Sequence, residues 1–346
     1  MKPVTVIGGG LAGLTLGIGL RQRGVPVTIW EAGGYPRHRV CGEFISGNGQ
    51  AVLERLGLRS RFEAAGAFWA RTAVFVSGPN RSPVHRLPEP ALCLSRYAMD
   101  ALLADVFRQA GGDLRENTRW TQTGPAEGLV RAAGRRPHPP VNASHWFGLK
   151  AHISPDSAMN LAADLEMHCS SAGYVGINRI DGGNINVCGL FRARAGRVFP
   201  ESKLQWLRGE PESALHERLG AAQFKPGSFC AVGGLFLKPQ RAITRAECCI
   251  GDALTLTPPV TGNGMSMAFE SAEIAIAPLT AYSRRQVSWE ECRRRIAGGC
   301  DTAFARRLAW AGWLQRLMFS PLLSGKVGSR LLGSGWLWRW MFERTR

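Results

Sequence analysis

Residues 8–13, Gly-Gly-Gly-Leu-Ala-Gly, set a G-x-G-x-x-G turn between a short apolar run and a longer helical one. Val4 to Ile7 reads as a buried strand, and Leu14 to Arg23 as a helix with Leu16 and Leu20 on one face. Gly8 permits the tight turn, Gly10 lets the backbone approach a pyrophosphate, and Gly13 allows the helix to pack closely. Free N–H groups and partial positive charge at the helix start, around Leu11 and Ala12, suit phosphates. A second strand, Pro26 to Trp30, ends in Glu31, where a carboxylate accepts ribose hydroxyls, with Ala32 beside it. Glycine turns are common. Strand, turn, helix, strand and acid within about 30 residues are not, and they specify a Rossmann-type dinucleotide domain.

The uncharged stretch Pro3 to Leu20 invites a rival reading as a signal peptide or membrane span. It carries glycine at 8, 9, 10, 13, 17 and 19, and no A-x-A cleavage site follows, so it reads as soluble structure. At 346 residues the chain holds about two domains. With 45% hydrophobic and 20% charged residues it can bury a sizeable core, which excludes wholesale disorder. Lys plus Arg number 43 against 26 Asp plus Glu, a net +17 that suits an anionic ligand or surface. Nucleic acid is not the expected partner: the longest basic run is Arg293-Arg294-Arg295, and no binding motif appears. Nine Cys without a C-x-x-C, and seven scattered His, give neither a metal site nor a disulfide framework. A reducing cytoplasm fits.

Glu31 would repel a 2′-phosphate, so FAD or NAD is expected rather than NADP. Later blocks favour FAD. Ala246 to Ile250 reads as a strand delivering Gly251-Asp252. Pro258-Pro259 through Gly262-Asn263-Gly264 then lead into a helix, Met265 to Ala277. An Asp at such a strand end can hold ribityl hydroxyls, and the Gly-Asn-Gly turn can set N–H groups against a flavin ring.

With Pro36-Arg37, Val40-Cys41-Gly42-Glu43 and Leu94-Ser95-Arg96 followed by Asp100, these blocks keep a recognisable order. The chain resembles the FAD-dependent oxidoreductases that include p-hydroxybenzoate-hydroxylase-type monooxygenases and geranylgeranyl reductases. The resemblance spans residues 4 to 277. It implies that Asp252 binds the ribityl chain and that Arg96 lies against the cofactor. Arg39, Cys41, Gly42, Gly134, Pro259 and Met265 join the expected FAD-binding set. Read without the family, Arg96 and Asp100 are an i, i+4 pair on an exposed helix face, and Cys41 is a packed small hydrophobe.

Two features depart from the pattern. Only Asp113 to Glu127 separate the helix Arg96–Ala110 from Leu129-Val130-Arg131, so the family's β-meander is cut down or absent. Gly173-Tyr174-Val175-Gly176 lacks the proline of the reductase signature. From Ser144 to Gly234 the pattern is β: Phe147, Leu149, Ala151 and Ile153 alternate with Trp146, Gly148, Lys150 and His152. Tyr174–Ile180 and Asn184–Leu190 flank Asp181-Gly182-Gly183, a hairpin signal. Thr72–Val76 and Val84–Leu87 complete an inserted antiparallel sheet that the family places over the flavin and substrate. Lys150, His152 and His168 are acid/base candidates. His152 leads them, although a lone sheet His is more often structural.

Ala303 to Phe319 reads as a helix striped by Phe304, Leu308, Ala311, Leu314 and Met318. Beyond it, Trp336, Trp338 and Trp340 alternate with Leu and Arg. This is either a peripheral anchor on the inner face of a membrane or a cap over the substrate domain. The expected division is thus 1–71, 91–140 and 241–280 for FAD, 72–90 and 141–240 for substrate, and 281–346 as a basic, Trp-rich helical tail.

The expected activity is an FAD-dependent monooxygenase on an aromatic or lipidic small molecule, with NAD(P)H as transient donor. Isoprenoid double-bond reduction is the alternative. A degenerate flavoprotein that binds lipid or a partner is the reading from another class.

Overall fold

The computed structural model describes residues 1–135, 144–155, 159–170, 172–194, 202–235, 237–318 and 334. In chain order the strands are β1 (Val4–Ile7), β2 (Val27–Trp30), β3 (Phe44–Ile45), β4 (Phe68–Ser77), β5 (Asn80–Arg81), β6 (His85–Cys93), β7 (Asp113–Arg115), β8 (Leu129–Arg131), β9 (Ser144–Ile153), β10 (Leu165–Cys169), β11 (Gly173–Arg179), β12 (Ile185–Arg194), β13 (Cys230–Leu235) and β14 (Cys248–Cys249). The helices are α1 (Leu11–Arg21), α2 (Asn48–Arg55), α3 (Arg59–Ala64), α4 (Arg96–Gln109), α5 (Lys203–Arg208), α6 (Ala214–Leu219), α7 (Gly264–Ser283) and α8 (Trp289–Met318).

Five strands form one parallel sheet in the order β14-β8-β1-β2-β7. Both faces of a parallel sheet need cover. Here α1 contacts α4 and α7 as well as the strands, so it is apolar all round: Leu14, Leu16, Ile18 and Leu20 are all fully buried. The helix begins at Leu11, three residues before its apolar stripe, because Gly10 already stands extended as N-cap (φ −88°, ψ −171°). At the far end of the chain the expected strand 246–250 shrinks to Cys248–Cys249. Its partner β8 offers only three residues, and Ile250 N donates to Arg131 O at 3.0 Å as the ladder ends. No strand lies between β7 and β8, so the meander is absent there.

The second sheet runs β13-β9-β12-β11-β10-β4-β6-β3 with β5 paired to β4. It corrects the expectation of a purely antiparallel insert, because β10 pairs with β4 in parallel, Met167 opposite Phe75. The β11–β12 hairpin forms around Asp181–Gly183 as the sequence suggests. Two short helices, α5 and α6, were not foreseen. Leu204, Leu207, Leu215 and Leu219 cover Leu149, Ala151, Val175, Ile177 and Val187 on one face of this sheet. Both faces of β9 are therefore buried, which a period-2 pattern with Lys150 and His152 on the second face does not announce.

The C-terminal helix also differs from expectation. It starts at Trp289, and Cys292, Ile296, Cys300, Phe304 and Leu308 enter the main core. Arg307, which lies outside the apolar stripe named above, is buried and makes a two-pronged pair with Glu270 of α7, at 2.7 and 2.5 Å. The segment to residue 318 is thus a packed helix rather than a tail. The Trp–Arg stretch 335–346 lies outside the described residues. Among the described residues no helix is long and apolar enough to cross a membrane.

Candidate functional site

A cavity of about 1090 Å³ opens between the two sheets. Its first end is made by the β1–α1 turn, with Gly8, Gly10, Leu11 and Ala12, and by Glu31 and Ala32 at the end of β2. At Gly8 (φ +103°) a Cβ would stand 2.5 Å from the Ala132 carbonyl oxygen, so only glycine fits. At Gly10 a Cβ would meet no protein atom within 4 Å. The backbone there faces open cavity, as a pyrophosphate cradle requires. Gly13 does not reach the cavity; its role is packing, since a Cβ would stand 2.0 Å from Gly8 O.

Glu31 is tied down by its neighbours. Gly9 N donates to its Oε2 at 2.8 Å, and Gly33 N and Arg37 Nη1 donate to its Oε1 at 2.9 and 2.7 Å. Burial opposes its charge, but Arg37 and the two amides win and hold the carboxyl below the usual range. The anionic form the sequence argument needs is therefore kept. Trp30 and Trp120, their rings 5.2 Å apart edge to face, line the same end, and the buried Trp120 Nε1 has no partner. Glu31, Asp252, Arg39, Arg96, Arg119, Arg131 and Arg135 all border the cavity, a cationic excess matched to a diphosphate.

Further along stand Cys41, Gly42 and Phe44 from one side and Asp252, Pro259, Gly262, Gly264 and Met265 from the other. Gly262 is left-handed (φ +64°), and a Cβ there would stand 2.2 Å from the Phe44 ring. Gly264 opens α7, so a helix N-terminus faces the cavity. Gly251 and Asn263, both expected at the site, do not border the cavity themselves: Gly251 N donates to Ser271 Oγ at 2.9 Å, and Asn263 stands at the N-cap position of α7 without a side-chain capping bond. Asp252 has its carboxyl raised by burial, partly offset by Arg135 and Arg96. Arg96 is no exposed pair member. It binds Asp100 through both prongs at 2.7 and 2.8 Å, with the Asp100 side chain fully buried. Gly134 borders the cavity in a left-handed conformation (φ +73°).

His152 does not face this cavity. Its Nε2 pairs with Glu43 Oε2 at 2.7 Å, while Lys150 Nζ and Arg96 N donate to Glu43 Oε1 at 2.7 and 2.8 Å. Burial resists the Glu43 charge, but His152 and Lys150 overcome it and lower its carboxyl. Lys150 and His152 are therefore spent on a buried ion cluster behind the cavity wall. His168 likewise pairs with Glu166 at 3.1 Å and does not itself line the cavity, although Glu166 borders it. His38 faces the cluster through Lys150 at 3.4 Å, and burial plus that lysine lower it to about 4. Glu43 adopts φ +56°, uncommon for its type, and Asn186 Nδ2 donates to the carbonyls of Cys41 and Gly42 at 3.2 and 2.9 Å. Together these hold the Cys41–Gly42 wall in place. Cys41 itself has its thiol raised by burial, which suits a wall and not a nucleophile.

The second end of the cavity was not read from the sequence. Phe75, Met167, Gly176 and Cys188 cross the sheet in register, flanked by Tyr174 and Leu190, with Trp313, Leu314 and Leu317 of α8 opposite. The residues come from four strands and a helix over more than 200 positions, and only the sheet register aligns them.

The family described as the FAD binding domain matches residues 1–137. The FAD-binding part of the resemblance read from the sequence is thereby shown for residues 1–137. Beyond that segment the likeness is one of fold, shared with solved flavin-dependent enzymes over nearly the whole chain. The flavin-dependent brominase Bmp2, as a triple mutant, superposes with a TM-score of 0.72 at 18% identity, covering 99% of this chain and 98% of that one. PqsL of P. aeruginosa in complex with 2-aminobenzoylacetate gives 0.69 at 14% identity, with 99% of each chain covered. Among curated proteins, Monooxygenase 1 of Arabidopsis thaliana is 29% identical over 106 residues, 30% of this chain and 27% of that one. Conditioned medium factor receptor 1 of Dictyostelium discoideum is 27% identical over 362 aligned positions, 84% of this chain and 66% of that one. The chain thus spans less than two thirds of either curated relative.

Proposed function

We propose that this protein is an FAD-dependent monooxygenase acting on a hydrophobic or aromatic small molecule. One observation carries the reading: a single cavity joins a dinucleotide end, rich in arginine and glycine turns, to an apolar end walled by a sheet and α8. The Gly8–Ala12 turn and Glu31 would hold the adenosine and pyrophosphate. Asp252, Arg96 and Arg39 would hold the ribityl chain, with Cys41, Gly42, Pro259, Gly262, Gly264 and Met265 around the ring. The open space at Gly10 and the unpartnered Trp120 Nε1 both fit such an occupant.

When bound, FAD supplies electron transfer and oxygen activation. The chain's own contribution is position and environment. The N-terminus of α7 presents backbone N–H groups and a positive dipole where charge on the ring grows. Phe75, Met167, Leu190 and Leu314 exclude water from the reacting end. With His152, Lys150 and His168 committed elsewhere, proton movement falls to solvent or to the substrate.

NAD(P)H is the proposed donor, visiting without a second glycine-rich motif of its own. The apolar end equally suits reduction of an isoprenoid double bond. Reduction with NADPH under anaerobic conditions, followed by air, separates the two. Rapid reoxidation with peroxide release when no substrate is present supports the oxygenase. Flavin that stays reduced in air points to the reductase.

A further inference from the structure

Trp120 lies in the segment that joins β7 to β8, where no strand intervenes. Asn117 turns that segment back with a left-handed backbone (φ +52°), which asparagine tolerates. Asn117 N then donates to Gly33 O at 3.2 Å, and Thr118 N to Glu31 O at 2.9 Å. The segment is thereby clipped to the chain that leaves β2. Trp120 sits just beyond the clip, its ring edge to face with Trp30, which Arg115 overlies at 4.6 Å. Backbone clip and ring packing together fix the indole at the dinucleotide end of the cavity, which it lines.

There the indole Nε1 is buried and unpartnered. An indole N–H can only donate, and a buried one usually finds an acceptor. The nearby carboxylates of Glu31 and Glu116 are taken, the first by Gly9, Gly33 and Arg37, the second by the Tyr35 amide and Arg108. The occupant of the cavity must therefore bring the acceptor. A phosphate oxygen is a poor match, because Glu31 close by is held anionic and the start of α1 already serves phosphates. With ribose hydroxyls on Glu31, the base comes next, and adenine presents its ring nitrogens N1, N3 and N7 as acceptors.

We infer that Trp120 recognises the adenine base of the dinucleotide, its Nε1–H donating to one ring nitrogen. This rests on the flavoenzyme reading and adds a base-recognising residue to it. The short connection between β7 and β8 thus contributes base recognition without a strand of its own. Because the indole is clipped in place before the ligand arrives, little ordering is left to be done when the base binds.

The test titrates FAD, ADP and inorganic pyrophosphate by calorimetry into the full chain freed of flavin. Trp120→Phe keeps an aromatic ring and removes the donor. It should weaken FAD and ADP equally, by about fivefold, and leave pyrophosphate unchanged. A variant that binds FAD and ADP as tightly as the wild type overturns the inference. So does an equal loss for pyrophosphate, which would place the N–H on the phosphates. ADP analogues with carbon in place of N1, N3 or N7 then identify the acceptor. One of them should bind the wild-type protein about fivefold more weakly than ADP, and the variant no more weakly than ADP does. A series in which no such analogue appears also overturns the inference. The melting temperature of each sample shows whether the variant folds. Should it not, the analogues decide on the wild-type protein alone, and all of them binding as tightly as ADP is the contrary result. A chain that takes up neither FAD nor ADP sinks the flavoenzyme reading beneath, whereas one that binds both and ignores Trp120→Phe sinks this inference alone.

Discussion

Gly10 and Gly8 look alike in the sequence and do different work. A Cβ at Gly8 collides with the backbone of Ala132 and Ala133, so Gly8→Ala attacks the fold; at Gly10 the added methyl points into open cavity. Gly10→Ala should leave the melting temperature of the FAD-free protein within about 1 °C, given a change of a few tenths of a kcal/mol. It should weaken FAD binding at least about tenfold, by filling the space where the phosphates approach the backbone. A thermal melt of the FAD-free protein checks the first half of that statement, and a fluorescence titration with FAD the second. Glu43 makes the opposite case. Glu43→Gln removes the counter-charge from a fully buried Lys150, and breaking one partner of such a pair costs about 3–5 kcal/mol. Urea denaturation should show that loss. Lys150→Met in the same background should recover part of it, because no bare charge is then left inside.

At the scale of elements, α8 is the piece whose role changed most between sequence and structure. Its apolar stripe from Phe304 onward was legible, but its first half was not. Cys292, Ile296 and Cys300 follow the same spacing amid charged neighbours such as Arg293 to Arg295, which mask the periodicity. The buried Arg307–Glu270 pair had no local signal at all, since the partners lie 37 residues apart. Arg307→Ala strands Glu270 beside Asn48 and should destabilise by about 3–5 kcal/mol, seen as a lowered urea midpoint with FAD absent. Where chemistry demanded a local motif, as in the β1–α1 turn and the α7 entry, the sequence showed it directly. Where a surface is assembled from register, as in Phe75, Met167, Gly176 and Cys188, no single segment carries the information. His152 shows the converse error. An alternating strand pattern places it correctly on the second face of β9, but not the buried carboxylate of Glu43 that claims it.

Across the whole molecule, two sheets with separate cores enclose one cavity, and charge is distributed unevenly along it. Five of the arginines behind the net +17 border the dinucleotide end, which gives part of that excess a specific anionic target. The apolar end has α8 as one wall, so the C-terminal helix completes the pocket from outside the nucleotide-binding segment 1–137. This arrangement makes the central claim simple to test. The purified protein, incubated with excess FAD and desalted, should be yellow. On denaturation it should release FAD rather than FMN, at about one per chain. A colourless protein that retains no flavin after the same treatment would contradict the account at its root.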